Sequence, residues 1–237
     1  MADVLALVEA RLLLAFGEPD ARASVTFLGT DRIEVLRFTG AGAGGGPDGG
    51  SGPGDPGGSA PGGSGPGAVG PDGTGPGGFG PGAERVVRYA TLGMSAHPMA
   101  DPTAPLADPL RGPRAELLLT VRAGLAETDR VLRPLAVLAA SPQVEGVVVA
   151  PGASLGLGEP LWPGAPFPSV LVGEPGGLVA DLELDEPMDP VRFLPLLPMT
   201  PNEAAWKRVH GAPALQERWL ARGADLRDPL RSSVALD

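Results

Sequence analysis

The chain has 237 residues, a formal charge of −10 at neutral pH and no cysteine. Without cysteine it has no disulfide framework and no thiolate metal site, which fits a reducing compartment. The acidic balance argues against general affinity for nucleic acid or anionic membranes. No apolar stretch reaches the roughly 20 residues that a membrane-spanning helix needs, so we expect a cytoplasmic protein without nucleic-acid or membrane partners.

The N-terminal stretch MADVLALVEARLLLAF predicts an amphipathic helix. Leu5, Val8 and Leu12 recur at helical spacing. A signal peptide is disfavoured because Asp3 and Glu9 interrupt the apolar run and no basic segment precedes it.

Residues 40–82 are dominated by glycine and proline, with 22 glycines and 8 prolines. Such a segment buries too little apolar surface to offset its ordering entropy, so it predicts a disordered insertion. The apolar segments on its two sides, 32–38 and 84–94, are expected to pair as a hairpin. We therefore expect one domain over 1–223, interrupted by this insertion, and a peripheral C-terminal tail at 224–237.

The rest of the chain alternates predicted strands and helices. Segment 115–123 is apolar enough for a strand that is buried on both faces. The other predicted strands are 145–152, 169–175 and 191–200, and the predicted helices are 134–141, 201–210 and a last one from Pro213 to Gly223. This order predicts an α+β fold, a mixed β-sheet flanked by helices.

The stretch FLPLLPMTPNEAAW joins a strand to a helix. Pro195 and Pro198 predict an edge or bulged strand, because proline cannot donate to a sheet ladder. Thr200 and Glu203 have the spacing of a capping box, and Pro201 suits the first helical position.

Two patterns suggest catalysis and are weak. Ser154 in GASLG matches the G-x-S-x-G nucleophile motif, with His97 or His210 as its base, but glycines and prolines follow where the motif needs a helix. A serine hydrolase therefore stays an alternative. His97 and Asp101 could form a catalytic or metal-binding pair, but neighbouring prolines argue against a helix that would align them, and no cluster of metal ligands accompanies them. We expect no cofactor and no metal.

The segment DLELDEPMD (181–189) carries the highest density of acidic residues. Asp181, Glu183 and Asp185 alternate along a possible strand, which is typical of a solvated edge that resists aggregation. Calcium binding and a basic partner are the functional alternatives.

Trp162 lies in a proline-flanked loop, EPLWPGAPF. A tryptophan held in such a rigid loop has two interpretations. It either lines a groove or plugs the end of the core, and the sequence does not choose between them.

Three segments in one order resemble the suppressor-of-fused domain, specifically its stand-alone bacterial members. They are RYATLGMS (88–95), RAELLLTV (114–121) and FLPLLPMTPNEAAWKRVHGAPALQERW (193–219). In that family a tyrosine precedes a Gly-hydrophobic-Ser turn, a buried strand carries an acid, and a strand enters a capped helix followed by a leucine-rich helix. The resemblance covers 30–38 and 84–223.

The resemblance implies a non-enzymatic, protein-binding role. The animal relative has two domains and sequesters a zinc-finger transcription factor by clamping a short peptide, and this chain matches the first domain. Bacterial relatives are thought to include immunity proteins that neutralise toxins, and an acidic surface would suit a basic nuclease of that kind. A third interpretation, beside the hydrolase, is a scaffold that recruits partners through its disordered insertion.

The resemblance also implies a partner-binding site. Tyr89, Gly93 and Ser95 match the family turn, and Glu116 matches the acid of the buried strand. We expect the partner to dock near the segment from Tyr89 to Asp101 and near Trp162, and we expect Tyr89→Ala and Trp162→Ala to weaken capture without unfolding the domain. The predicted site comprises Tyr89, Gly93, Ser95, Asp101, Glu116 and Trp162.

Overall fold

A mixed seven-stranded sheet with helices on it forms the body of the molecule, as the sequence predicts. The structure, a computed structural model, describes residues 3–27, 30–42, 84–100 and 108–237. The helices are α1 (Val4–Phe16), α2 (Leu132–Glu145), α3 (Pro201–His210) and α4 (Ala212–Ala221), and the strands are β1 (Ala21–Thr26), β2 (Arg32–Ala41), β3 (Arg85–Leu92), β4 (Arg114–Arg122), β5 (Ser154–Gly156), β6 (Ser169–Val172) and β7 (Val191–Met199).

The strand order is β1-β2-β3-β4-β7-β6-β5. Neighbours are antiparallel except β4 and β7, which run parallel with Arg114 beside Val191. The parallel pair joins an N-terminal meander of four strands to a C-terminal group of three.

The hairpin around the insertion is confirmed. β2 pairs with β3, Ala41 stands opposite Arg85, and the N–H of Gly42 donates to the carbonyl of Glu84 at 2.7 Å. The first residues of the predicted insertion, Gly40 and Ala41, belong to β2 and are therefore ordered. The rest of the predicted insertion, 43–82, lies outside the described residues.

Alternate residues of the central strands pack into two cores on opposite faces. On one face α1 packs Val8 and Leu12 against residues such as Phe38. On the other face α2 packs Leu135 against residues such as Leu119. β4 contributes to both cores, so its predicted burial on both faces is confirmed.

Two local predictions were wrong, and one strand was missed. The helix α2 begins at Leu132, so Pro134 lies inside its first turn, where a missing N–H costs little. Residues 145–152, predicted as a strand, are the last residue of α2 and an irregular segment, because Gly146 ends the helix in a left-handed conformation. The prediction failed because a short apolar run fits a buried irregular segment as well as a strand. The edge strand β1 was not predicted at all, since ARASVT has little hydrophobic contrast between its faces.

The position of β7 also differs from the prediction. The strand lies inside the sheet and not at its edge. Its first half pairs with β4 up to Pro195, and its second half pairs with β6 from Leu196 onward. Because the strand changes partner at Pro195, the prolines are accommodated without an edge position.

The helix after β7 begins as predicted. The hydroxyl of Thr200 accepts from the N–H of Glu203, and the carboxylate of Glu203 accepts from the N–H of Thr200, with Pro201 in the first turn. In α4, Leu215 and Trp219 are buried, whereas Leu220 is 84% exposed.

The C-terminal segment after Gly223 packs onto this helical pair, so its expected peripheral position was wrong. Val234 and Leu236 contact the core that contains Trp219. Arg231 is 8% exposed and binds the carboxylate of Glu203. The segment is an integral part of the folded body.

Candidate partner-binding surface

A buried carboxylate organises the turn that follows β3. Glu116 on β4 is fully buried and accepts from the hydroxyls of Thr91 and Ser95, both at 2.6 Å. It also accepts from the backbone N–H groups of Gly93 at 2.9 Å and Ser95 at 3.0 Å. Burial raises the pKa of Glu116, and the hydrogen bonds from Ser95 and Thr91 oppose that rise.

Gly93 is required by its backbone. Its φ is +131°, and a Cβ there would lie 2.7 Å from the carbonyl oxygen of Arg32. Only glycine meets both conditions without strain, so the Gly-Met-Ser turn of the sequence has a steric cause.

The guanidinium of Arg114 binds the carbonyl groups of the same turn. The Nη1 of Arg114 donates to the carbonyls of Ser95 at 2.8 Å and Ala96 at 2.9 Å. Burial lowers the pKa of Arg114. Beyond the turn, the exposed ring of His97 is 2.7 Å from a carboxylate oxygen of Asp31. Residues 93–97 are therefore fixed through both their N–H and their C=O groups, and we call them the family turn.

Tyr89 links β3 to the turn before α2. Its hydroxyl lies 2.7 Å from a carboxylate oxygen of Asp129 and 2.8 Å from the hydroxyl of Thr128. The Nε of Arg37 donates to the same Asp129 oxygen at 2.8 Å. Burial, the largest cause, raises the pKa of Tyr89 to about 12, so the phenol stays protonated and donates.

Trp162 is buried in the core and also lines a surface depression. It is 1% exposed and packs edge-on against Phe167, with ring centroids 5.9 Å apart. Its indole N–H has no acceptor among the described residues. The two interpretations of this loop are thus both correct in part.

The predicted site residues do not form an exposed patch. Tyr89, Ser95, Glu116 and Trp162 are buried, and so is Gly93. Direct contact with a partner is closed to them in this conformation, and their truncation is expected to affect folding. Asp101 lies outside the described residues. Their role in partner binding stays a prediction. If they have one, these residues act by supporting the surfaces that a partner contacts.

Two adjacent depressions lie at the N-terminal end of α2 and share Arg130 as a wall. The larger, about 580 Å³, is lined by Arg37, Arg85 and Asp129 among others. The smaller, about 370 Å³, lies between Arg133 and the Trp162 loop. We call the two together the arginine groove. Sequence reasoning missed it because its residues come from separate segments that only the fold brings together.

The residues of the hydrolase alternative do not assemble. Ser154 is the first residue of the edge strand β5 and is exposed, with no helix after it. His97 binds Asp31, and the ring of His210 stacks on Trp206 with centroids 4.1 Å apart. The strand-turn-helix geometry of a nucleophile elbow does not occur at Ser154.

The described part of the chain lacks two further kinds of feature, a metal-binding cluster and a membrane-spanning helix. No three histidine, cysteine or acidic residues in it are grouped so that they could hold a metal ion. None of its helices combines the length and apolar character needed to cross a membrane.

The family model for Suppressor of fused protein (SUFU) matches residues 79–232. The chain belongs to the suppressor of fused family. The match includes the family turn, the buried Glu116 and the helical pair α3–α4, and it extends into the C-terminal segment that packs against them.

Solved structures of this family share the fold. A SUFU homologue from Neisseria gonorrhoeae FA 1090 is 17% identical, with 99% of this chain and 98% of that one covered and a TM-score of 0.61. A chain from the Sufu–Fu complex is 10% identical, with 97% and 91% covered and a TM-score of 0.54. None of the curated proteins compared with the chain matches it. Identities this low show the SUFU fold alone.

Proposed function

We propose that the chain is a non-enzymatic, cytoplasmic protein-binding module whose partner is basic, and that it acts as an immunity protein by capturing a toxin. The Sufu chain of the Sufu–Fu complex has a protein partner, which supports a protein partner here. The observation that carries the proposal is the distribution of charge.

The chain between Arg133 and Arg192 contains no lysine, arginine or histidine. Its acidic residues are all exposed: Glu145, Glu159, Glu174, Asp181, Glu183, Asp185, Glu186 and Asp189. Among the described residues, only Asp181 of these has an ion-pair partner, Arg192 at 3.8 Å. This stretch therefore carries eight formal negative charges and no positive one, and its solvent-facing carboxylates steer a basic protein toward this surface.

The connection between β6 and β7, residues 173–190, presents six of these carboxylates, and we call it the acidic connection. Two contacts fix it to the rest of the protein, one at a buried leucine and one at an aspartate. Leu182 is buried and exchanges two 2.9 Å backbone hydrogen bonds with Val191. Asp189 accepts from the N–H of Gly112 at 2.9 Å. Anchoring matters because charges that are already ordered lose less entropy on binding.

The acidic connection is continuous with the family turn and the residues after it. Gly112, which binds Asp189, is so close to Pro98 that a Cβ on it would lie 3.1 Å from the Cβ of that proline. The next residue, Pro113, accepts from the N–H of Met99 at 2.8 Å. We extend the surface expected from the sequence near Tyr89–Asp101 to the acidic connection, and the buried hydrogen bonds between Glu116 and Ser95 act as its support.

The test measures, at low ionic strength, how fast a captured basic protein associates with two variants of this chain that lack the same number of charges. The test variant is E183Q/D185N/E186Q, and the control is E18Q/E217Q/D237N, which removes the same charge elsewhere. We expect the test variant to lower the association rate with the captured basic protein about 10-fold and the control to change it little. Equal association rates for the two variants would reject the acidic connection as the binding surface.

The immunity role is tested separately. Co-expression with a toxin encoded beside the gene should restore growth, and the E183Q/D185N/E186Q variant should restore it less. Growth arrest despite co-expression would reject immunity. Deleting 43–83 should leave capture intact, whereas the scaffold interpretation requires capture to be lost.

A further inference from the structure

The arginine groove contains guanidinium groups that have no internal partner. Arg85, Arg130 and Arg133 are exposed, and none of them forms an ion pair within the described ranges. Arg37 differs, because Asp20 at 3.1 Å and Asp129 at 2.8 Å hold it in place. The lining holds three carboxylates, and because Asp129 is paired with Arg37, the three free cations face two that have no ion-pair partner among the described residues, Glu127 and Glu159. The overall charge of the protein is −10.

The backbone adds to this local positive charge. Arg130 belongs to the short helical turn Thr128–Val131, and Arg133 lies in the first turn of α2, whose N-cap, Val131, has no capping side chain. The short turn runs directly into α2, and the carbonyl of Asp129 already accepts from the N–H of Leu132, so what this end of the helix offers an anion is the partial positive charge of the helix dipole. Cations placed there repel the helix dipole, and a bound anion would remove that repulsion.

A second observation points to a ligand at the same place. Trp162 lines the smaller depression, is almost fully buried, and has an indole N–H without an acceptor in the described structure. An unpaired buried donor costs free energy, and proteins rarely keep one without cause. That N–H is itself shielded from solvent, so the acceptor oxygens of a ligand reach it only when the Trp162 loop shifts on binding.

The size of the groove selects the class of ligand. Depressions of about 580 and 370 Å³ that share Arg130 are far larger than one carboxylate or phosphate, and lie in the range of sites for extended organic ligands. The prolines beside Trp162 give the smaller one a rigid apolar wall. We propose that the arginine groove binds an acidic peptide segment, whose carboxylates pair with Arg85, Arg130 and Arg133.

This site goes beyond the basic-partner surface proposed above and is distinct from it. The family turn lies near Pro142 and Gln143, at the C-terminal end of α2, whereas the arginine groove lies at its N-terminal end. A helix of 14 residues spans about 20 Å at 1.5 Å per residue. Loss of one site should therefore leave the other intact.

The probe is a tetraglutamate peptide with blocked ends, and tetraglutamine and inorganic phosphate are the controls. Binding is measured by calorimetry and by the NMR resonances of the three tryptophan indole N–H groups. We expect the Trp162 resonance to shift with tetraglutamate while that of Trp219, which donates to Glu203, stays unchanged. Arg130→Gln should weaken binding about 10-fold, because Arg130 serves both depressions, and Arg208→Gln on α3 should change it less than 2-fold.

Each other outcome decides against the proposal. Equal weakening by Arg130→Gln and Arg208→Gln would show general charge attraction. Phosphate binding as tight as that of tetraglutamate would show a simple anion site, and an unmoved Trp162 resonance would place the peptide elsewhere. E183Q/D185N/E186Q should leave the Arg130-dependent binding in place, so failure of this proposal and failure of the proposed function are distinguishable.

Discussion

Replacing Arg231 with methionine tests whether the C-terminal segment is part of the folded body. Arg231 donates to both carboxylate oxygens of Glu203, at 2.7 and 2.9 Å, and to the carbonyl of Pro198. Its guanidinium also lies over the rings of Trp219 and Phe167, at 5.5 and 5.0 Å. One side chain thus joins the C-terminal segment to β7, to α3 and to two aromatic residues.

The expected cost follows from the burial of the carboxylate. Glu203 is fully buried, and without Arg231 its charge keeps only hydrogen bonds from neutral groups such as Trp219, at 3.0 Å. Breaking a buried ion pair on one side costs about 3–5 kcal/mol, out of a total stability of about 5–15 kcal/mol for a typical domain. We therefore expect Arg231→Met to remove a large part of the free energy of unfolding.

The pH dependence has a definite sign. Burial alone would raise the pKa of Glu203, but hydrogen bonds from Arg231, Thr200 and Trp219 lower it below its ordinary value. A depressed folded-state pKa contributes stability above the unfolded pKa, and that stability is lost as the pH falls through the folded value. Arg231→Met removes the largest of these opposing hydrogen bonds, so the loss of stability relative to the parent protein is expected to be greatest at neutral pH and to shrink as the pH falls.

The assay is urea unfolding followed by tryptophan fluorescence at neutral and acidic pH. Arg222→Met is the control, because Arg222 pairs only with the exposed Asp237 and should cost less than about 1 kcal/mol. The double variant E203Q/R231M should recover part of the loss, since no buried charge remains. A loss below about 1 kcal/mol in Arg231→Met would refute this account of the C-terminal segment.

Two further substitutions test the supports of the proposed surfaces. Trp162→Ala should cost about 3–5 kcal/mol in urea unfolding because it empties a buried aromatic site; a stable variant with weakened capture would instead restore the sequence-based expectation for this residue. Gly93→Ala should cost clearly more than Gly124→Ala, since both have positive φ but only a Cβ at Gly93 meets backbone, at 2.7 Å; equal losses in thermal unfolding would show that the contact with Arg32 is relieved without cost.

Local chemistry was predictable from the sequence where the interacting residues are near in the chain. The capping box of Thr200 and Glu203 and the hairpin around the insertion both depend on neighbouring residues. The edge prediction for β7 failed because a local proline rule cannot show that a strand changes partner at Pro195. The role of Glu203 as the acceptor for Arg231 was equally hidden, because that contact is tertiary.

The candidate site was predictable in identity but not in exposure. Tyr89 and Glu116 are polar residues in apolar strands, and such residues either line a site or satisfy one another inside the core. Here their partners, Asp129 and Ser95, lie on other elements, so the choice depends on the fold. The arginine groove had no sequence signature. The stretch between Arg133 and Arg192, which contains acidic but no basic residues, shows only that acidic residues are concentrated there.

The exchange of partners along β7 has a consequence for synthesis on the ribosome. β4 and its neighbours emerge first, yet the inner side of β4 stays unpaired until the parallel strand that starts at Val191 is made. An open, apolar strand edge is a template for unwanted association. The nascent chain therefore passes through a long window in which a chaperone, or slow translation before β7, would decide how much of it reaches the native state.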